Sequence, residues 1–308
     1  MTLEALLIAI RALLYIDLLA MFGLVTFSLY GLQSVEEAAN ALPLRTGIAV
    51  LAVAGFVISL VQIVAMASSM AGTSLLPVNA GAVEALINKT LIGSAWKVRM
   101  FALLALLPTV ALVRSKPLVT LILMGMWAGV AVATLAWAGH GAMSSGAIGW
   151  LHLGADVLHL LAAAGWIGAI LALCMLLFDL RAVIDHERIA RLNRALSQFS
   201  SMGTVFVAVI LATGLVNVWV IVGWPHLSAL PGSDYGRLLI AKIALFLVML
   251  CLAAANRFRL SPALGHAQLH GHVGPALRAL RVSLLLEIIC ALIILGIAAW
   301  LGTLAPTK

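Results

Sequence analysis

Apolar stretches fill almost the whole chain, and the polar stretches between them are short. A bilayer core of about 30 Å asks for about 20 mostly apolar residues per helix. Eight windows meet that requirement, approximately Ala5–Tyr30, Gly47–Ala67, Leu91–Val113, Leu118–Ala138, Trp150–Phe178, Phe199–Val222, Tyr235–Ala255 and Leu280–Leu301. The pattern predicts an all-α fold, a polytopic membrane helix bundle with about eight transmembrane helices. No polar run is long enough for a separate folded domain, and neither a linker nor a repeat of fixed period divides the chain. Residues 1–308 are therefore expected to form a single integral-membrane domain. The mixed stretch Leu75–Thr90, with Pro77, Asn79, Glu84 and Lys89, is expected to be a loop and an extension of the third span. Arg11 and Asp17 lie inside the first span and no small-residue cleavage site follows it, which argues for a retained helix over a removable leader.

Orientation follows from the basic residues of the short connections, which stay on the cytoplasmic side. Arg114 and Lys116 follow the third span, Arg181, Arg188, Arg191 and Arg194 the fifth, and Arg257, Arg259 and Arg278 the seventh. The connections after spans four and six hold almost none before Arg237, so both termini are expected to be periplasmic. Trp137, Trp150, Trp224, Tyr235 and Trp300 then fall near the outer interface, where amphipathic rings are favoured. Of 308 residues 64% are apolar and only 9% charged, with a mean hydropathy of +1.17. That is too little charge to cover a water-soluble enzyme. The net charge of +7 reads as membrane topology, with lipid as the surrounding partner and no nucleic acid. Cys174, Cys251 and Cys290 are isolated within apolar segments, which suits structural thiols.

Ionisable groups within spans are expensive, so each is a candidate for function. His152, Asp156 and His159 follow one another at i, i+4 and i+7 in the fifth span, on one stripe of the helix. At 1.5 Å per residue the two histidines are roughly 10 Å apart in depth, too far to share one ion unaided. His140, at the outer end of the fourth span, is placed to help. Imidazole suits copper, zinc and iron, and thioether sulfur suits Cu(I). Met143 shares the outer loop with His140, and Met66 and Met70 stand four apart at the outer end of the second span. The remaining buried charges are Asp17, Lys97, Arg99, Lys242 and Glu287. Asp156 with Lys242, and Asp17 with Arg99, are expected to pair across helices, and Glu287 to relay a cation or proton nearer the cytoplasm. His266, His270 and His272 form a His-x-x-x-His-x-His cluster in the expected loop after span seven, where a metal could be held on leaving.

A set of short motifs then points to a family. Gly139-His140-Gly141-Ala142 and His152-x3-Asp156-x2-His159-Leu160-x4-Gly165-Trp166-x-Gly168 resemble the bacterial copper-resistance protein D family, CopD or PcoD. So do Gly214-x2-Asn217, Tyr235-Gly236-x-Leu238-Leu239-x2-Lys242, Ala255-Asn256-Arg257, Glu287 and Leu301-Gly302-Thr303-Leu304-Ala305-Pro306. The resemblance covers nearly the whole chain and is weakest between Gly31 and Asn88. It implies a multi-pass inner-membrane protein of copper homeostasis that passes copper from periplasm to cytoplasm, beside a periplasmic copper carrier of the CopC type. Such a carrier is expected here as a separate chain.

On this reading the copper ion meets His140, His152 and His159, with Met66, Met70 and Met143 as capture sites and Asp156 balancing charge. Lys97, Arg99 and Lys242 weigh against it unless Asp17 and Asp156 neutralise them. A second reading is a membrane b-type cytochrome, in which two of the same histidines ligate haem b and basic residues hold its propionates. A third is a structural or sensory membrane partner. No ATP-binding motif or large cytoplasmic domain is evident, so no enzymatic activity is expected and transport would draw on gradients or binding sinks.

Overall fold

The structure, a computed structural model, describes residues 2–112, 115–138, 146–179, 186–270 and 273–305. Eleven α-helices and no strand occur among the described residues: α1 (Leu3–Tyr30), α2 (Val35–Ala41), α3 (Leu44–Ala71), α4 (Ala80–Lys89), α5 (Leu91–Ala111), α6 (Pro117–Ala133), α7 (Gly146–Asp179), α8 (His186–Ile221), α9 (Asp234–Ala255), α10 (Ser261–His270) and α11 (Val273–Leu301). Eight of the helical stretches are long and apolar enough to cross a membrane. Being even in number, these traverses bring both termini to one face. Starts are written in the sequence. Ser34, Asn79, Thr90 and Ser233 each accept the amide N–H three residues on, at 3.0 to 3.1 Å, and Pro117 opens α6 where its missing N–H costs nothing.

Four expectations shift. The sixth span begins at His186, thirteen residues before the apolar window, because Ile189, Leu192, Ala195 and Leu196 continue a buried stripe at helical spacing. Arg188, Arg191 and Arg194 therefore ride on a helix, not in a loop. The seventh span does not end at Ala255: a π-helical turn, Asn256–Leu260, carries it into α10, so that His266 and His270 are exposed on a helix. His272 lies outside the described residues. Leu75–Thr90 contains a separate capped helix, α4, and Leu32–Thr46 contains α2. Tyr235, expected at the interface, turns inward and is 6% exposed, whereas Trp150, Trp224 and Trp300 remain exposed.

α7 is the central helix. Two-thirds of its most apolar window is buried, against 6% for that of α9. It packs on α1, α8, α11 and α6, while α1 also packs on α3, α6 and α11. The α1–α7 crossing is made by glycines. A Cβ on Gly23 would stand 2.6 Å from Gly168 Cα, and one on Gly168 would stand 2.6 Å from Leu24 N. Both obstacles are backbone and cannot rotate away. In lipid, where helices gain little from burying apolar surface, such close approach is a main source of attraction. On the same helix Gly165 makes room for the Phe206 ring of α8, and Trp166 stacks edge-on against Phe246 of α9 at 5.7 Å. The Gly-Trp-x-Gly run is thus a packing motif.

At the end of the bundle away from the termini, α2 is clasped to α8. Glu37 accepts from Arg191 Nε at 2.8 Å, Arg194 Nη2 at 3.3 Å and the Gln33 N–H at 2.9 Å. Partial burial pushes its carboxyl up, but these hydrogen bonds and the two guanidinium charges outweigh that and hold it below the usual carboxylate range.

Gly23→Ala or Gly168→Ala is expected to lower stability in detergent by at least about 2 kcal/mol through overpacking. Gly154→Ala, with nothing within 4 Å of the added methyl, is expected to be silent; thermal unfolding of the purified variants measures both. Glu37→Gln is expected to cost about 1 kcal/mol or less at pH 7. That difference should close as pH falls below 4.5, since a carboxyl held under its ordinary value of 4.5 contributes fully above that value and nothing once protonated in the folded state. Unfolding followed against pH reads the convergence.

Candidate functional site

The stripe on α7 faces a seam of polar side chains in the half of the bundle nearer the termini. His152 is 1% exposed, and Asp156 and His159 are half-buried. Asp156 Oδ1 accepts from Asn217 Nδ2 of α8 at 3.3 Å. His159 Nδ1 lies 3.0 Å from Thr213 Oγ1, also of α8, and its ring edge sits over Gly214, 3.7 Å from where a Cβ would be. The Thr213 hydroxyl donates its hydrogen to the Val209 carbonyl at 2.6 Å. With that hydrogen given to the carbonyl, the Thr213 oxygen is free to accept from a His159 Nδ1–H, the tautomer that leaves a lone pair on Nε2. A buried imidazole with one nitrogen fixed by hydrogen bonding and the other basic is the form a metal ligand takes.

Charges close the seam from three other helices. Lys242 of α9 acts on both Asp156 and His159, and Arg11 of α1 acts on Asp156. The Asp156–Lys242 interaction is electrostatic at a distance; the carboxylate's hydrogen bond goes to Asn217 instead. Tyr15 and Tyr235 border the same carboxylate. Arg11, 7% exposed, reaches across to the end of α11, where a Cβ on Gly302 would stand 2.9 Å from its Cζ. This explains the glycine of the Leu301-Gly302-Thr303 motif. α8 packs against the π-helical turn that follows α9 at the far end of the bundle.

The expected Asp17–Arg99 pair is not made. Arg99 Nη2 donates to Gln62 Oε1 of α3 at 2.8 Å, because α3 stands between α1 and α5 at that level. Asp17 is buried against Gly55 of α3, and its Oδ2 has no hydrogen-bond partner among the described residues. Met66 packs beside Ile63 and Leu86 and lines a small cavity with Gln62 and Arg99, whereas Met70 is 68% exposed. Lys97 is exposed. His140 and Met143 lie outside the described residues. All three cysteines are free thiols, Cys174 buried, Cys290 half-buried and Cys251 exposed.

Nearer the other face, Glu287 of α11 is fully buried. It accepts from Asn256 Nδ2 at the start of the π-helical turn, and Trp166 of α7 and the Cys174 thiol border it. Among the described residues no group of three or more His, Cys, Asp or Glu side chains converges closely enough to enclose a metal ion. His152 and His159 are two turns apart on one helix face, so the haem reading, which needs histidines from different helices, turns on His140, outside the described residues. What the structure brings together is a file of single donors and acceptors, not a cage. Arg11, Tyr15, Thr213 and Asn217 complete the site. A lone arginine inside the first span is the one signal by which composition points to any of these four; Asn217 enters only through the Gly214-x2-Asn217 motif.

Residues 1–150 match the copper resistance protein D-like N-terminal domain, and residues 193–301 match the copper resistance protein D family profile. Copper resistance protein D of Pseudomonas syringae pv. tomato is 42% identical over 300 residues, covering 97% of this chain and 96% of that protein. Inner membrane protein YebZ of Escherichia coli (strain K12) is 31% identical over 128 residues, 42% of each chain. No solved structure matches. With likeness to one relative running from end to end, and eight membrane-length helices, the chain belongs to the copper resistance protein D family and is a multi-pass protein of the bacterial inner membrane.

Proposed function

We propose that this protein passes copper ions across the inner membrane, from the periplasmic face that bears the termini towards the basic cytoplasmic face, along the α7–α8–α9 seam. The observation that carries this reading is the stripe of His152, Asp156 and His159 on α7, with His159 Nδ1 within hydrogen-bond reach of Thr213 and Asp156 held by Asn217, in a chain of the copper resistance protein D family. Single imidazoles at successive depths suit passage better than storage. An ion that meets one or two donors at a time is held weakly enough to leave, which conduction requires.

Charge bears on which ion is carried. Lys242 and Arg11 flank the seam and Asp156 offsets one of them. A small, soft, monovalent ion is repelled less than a divalent one, and this favours Cu(I). Capture at the periplasmic end falls to the exposed Met70 and to Met66 one turn below it on α3, and by sequence position to His140 and Met143, with a separate copper carrier of the CopC type delivering the cargo. His152 and His159 follow, with Asp156 as counter-charge. Glu287 is the relay for cation or proton below the apolar stretch around Trp166 and Phe246. Arg99 and Asp17 position helices and do not touch the ion.

Proteoliposomes loaded with a Cu(I) chelator are expected to acquire copper roughly tenfold or more slowly with His159→Ala or His140→Ala than with the unsubstituted chain, given that loss of even a supporting ligand contact costs 10- to 100-fold in metal affinity. Equal rates would overturn the proposal, and reconstitution in the opposite orientation reads direction. The nitrogen resonances of His159 are expected to report a protonated Nδ1 and a bare Nε2. Thr213→Val should mix the tautomers and slow copper entry, and Thr213→Ser should restore both.

A further inference from the structure

At the basic end of the bundle, apart from the copper seam, a groove of about 810 Å³ runs along α11 beside Leu252 of α9. Arg278, Arg281 and Ser283 of α11 line it, and so do Leu252 of α9 and Val282 and Leu286 of α11. The lining is graded by depth. Arg278 lies eight residues from Leu286, about 12 Å along the helix, so the groove runs from headgroup level into hydrocarbon.

Two polar atoms in its wall are buried with no hydrogen-bond partner among the described residues, Arg281 Nε and Ser283 Oγ, and Ser283 is only 7% exposed. Such atoms are rare in folded proteins and call for an occupant. Arg281 lines the groove and donates Nη2 to the Leu177 carbonyl of α7 at 3.4 Å. Arg278 is exposed and makes no ion pair among the described residues, whose pairs use Arg191, Arg194 and Arg237. Two guanidinium groups with no carboxylate beside them and a hydroxyl with no partner among the described residues suit an anion rich in acceptor oxygens. The apolar lower wall asks for a hydrocarbon chain attached to it.

We propose that this groove is a binding site for an anionic phospholipid, its phosphate between Arg278, Arg281 and Ser283 and an acyl chain along Leu252, Val282 and Leu286. A free phosphate would satisfy the upper half and leave the lower half uncovered. Basic pockets between transmembrane helices recognise anionic headgroups by this combination.

The test is native mass spectrometry of the full chain in detergent, offered phosphatidylglycerol or phosphatidylcholine of equal chain length. Phosphatidylglycerol is expected to be retained about tenfold better. Arg278→Gln should reduce its retention about fivefold, the effect of one basic residue at an anionic surface. Ser283→Ala should weaken it, and Arg278→Lys should recover most of it. Arg259→Gln removes the same charge from the same end but outside the groove, and should leave retention unchanged. Equal retention of the two lipids, an undiminished adduct in Arg278→Gln, or the same loss in Arg259→Gln would overturn the proposal. So would displacement of phosphatidylglycerol by inorganic phosphate, which would make the site one for the free anion.

Discussion

A polar group placed in hydrocarbon must find its partner inside the protein, and that single demand decides where the helices of this bundle stand. Asp156 finds Asn217, His159 finds Thr213, Arg99 finds Gln62 and Glu287 finds Asn256. Each of these contacts joins two different spans. Apolar side chains cannot supply such direction, because a leucine facing lipid and a leucine facing another helix are in nearly the same solvent. The polar contacts are therefore the addresses by which helices of similar composition are told apart.

The same contacts divide the membrane-embedded chemistry into two levels. Towards the termini lies a seam of histidine, carboxylate, amide and ammonium groups from α1, α7, α8 and α9. Towards the basic face lies a smaller group around Glu287, with Asn256 held where the backbone of the seventh span widens into a π-helical turn. Such turns accumulate at functional positions because they free backbone groups and re-aim side chains. Trp166 and Phe246 occupy the apolar interval between the two levels. The polar groups of the two levels thus lie in series along the bundle, with an aromatic, uncharged interval between them.

Much of this architecture was legible in the residues. All eight spans follow from apolar length, and the α7 stripe follows from the spacing of His152, Asp156 and His159. Helix ends were less legible where a span outruns the bilayer. The first three turns of α8 are amphipathic, so a search for uniform hydrophobicity stops at Phe199 although the buried stripe continues to Ile189. Partners across helices were the least legible, since Arg99 has a carboxylate and an amide within plausible depth and only the packing of α3 selects Gln62. Gly23 carries no chemical signal at all; its importance lies in what Gly168, 145 positions along the numbering, does to it.

That glycine crossing also limits how the molecule can move. Where backbone meets backbone, no side chain lies between that could change rotamer, so any separation of α1 from α7 must break the contact itself, and these two helices carry the packing of α3, α6, α8 and α11. A change of volume at this one crossing is therefore passed to four other spans at once, which makes it the point where the whole bundle is most sensitive to a single methyl group.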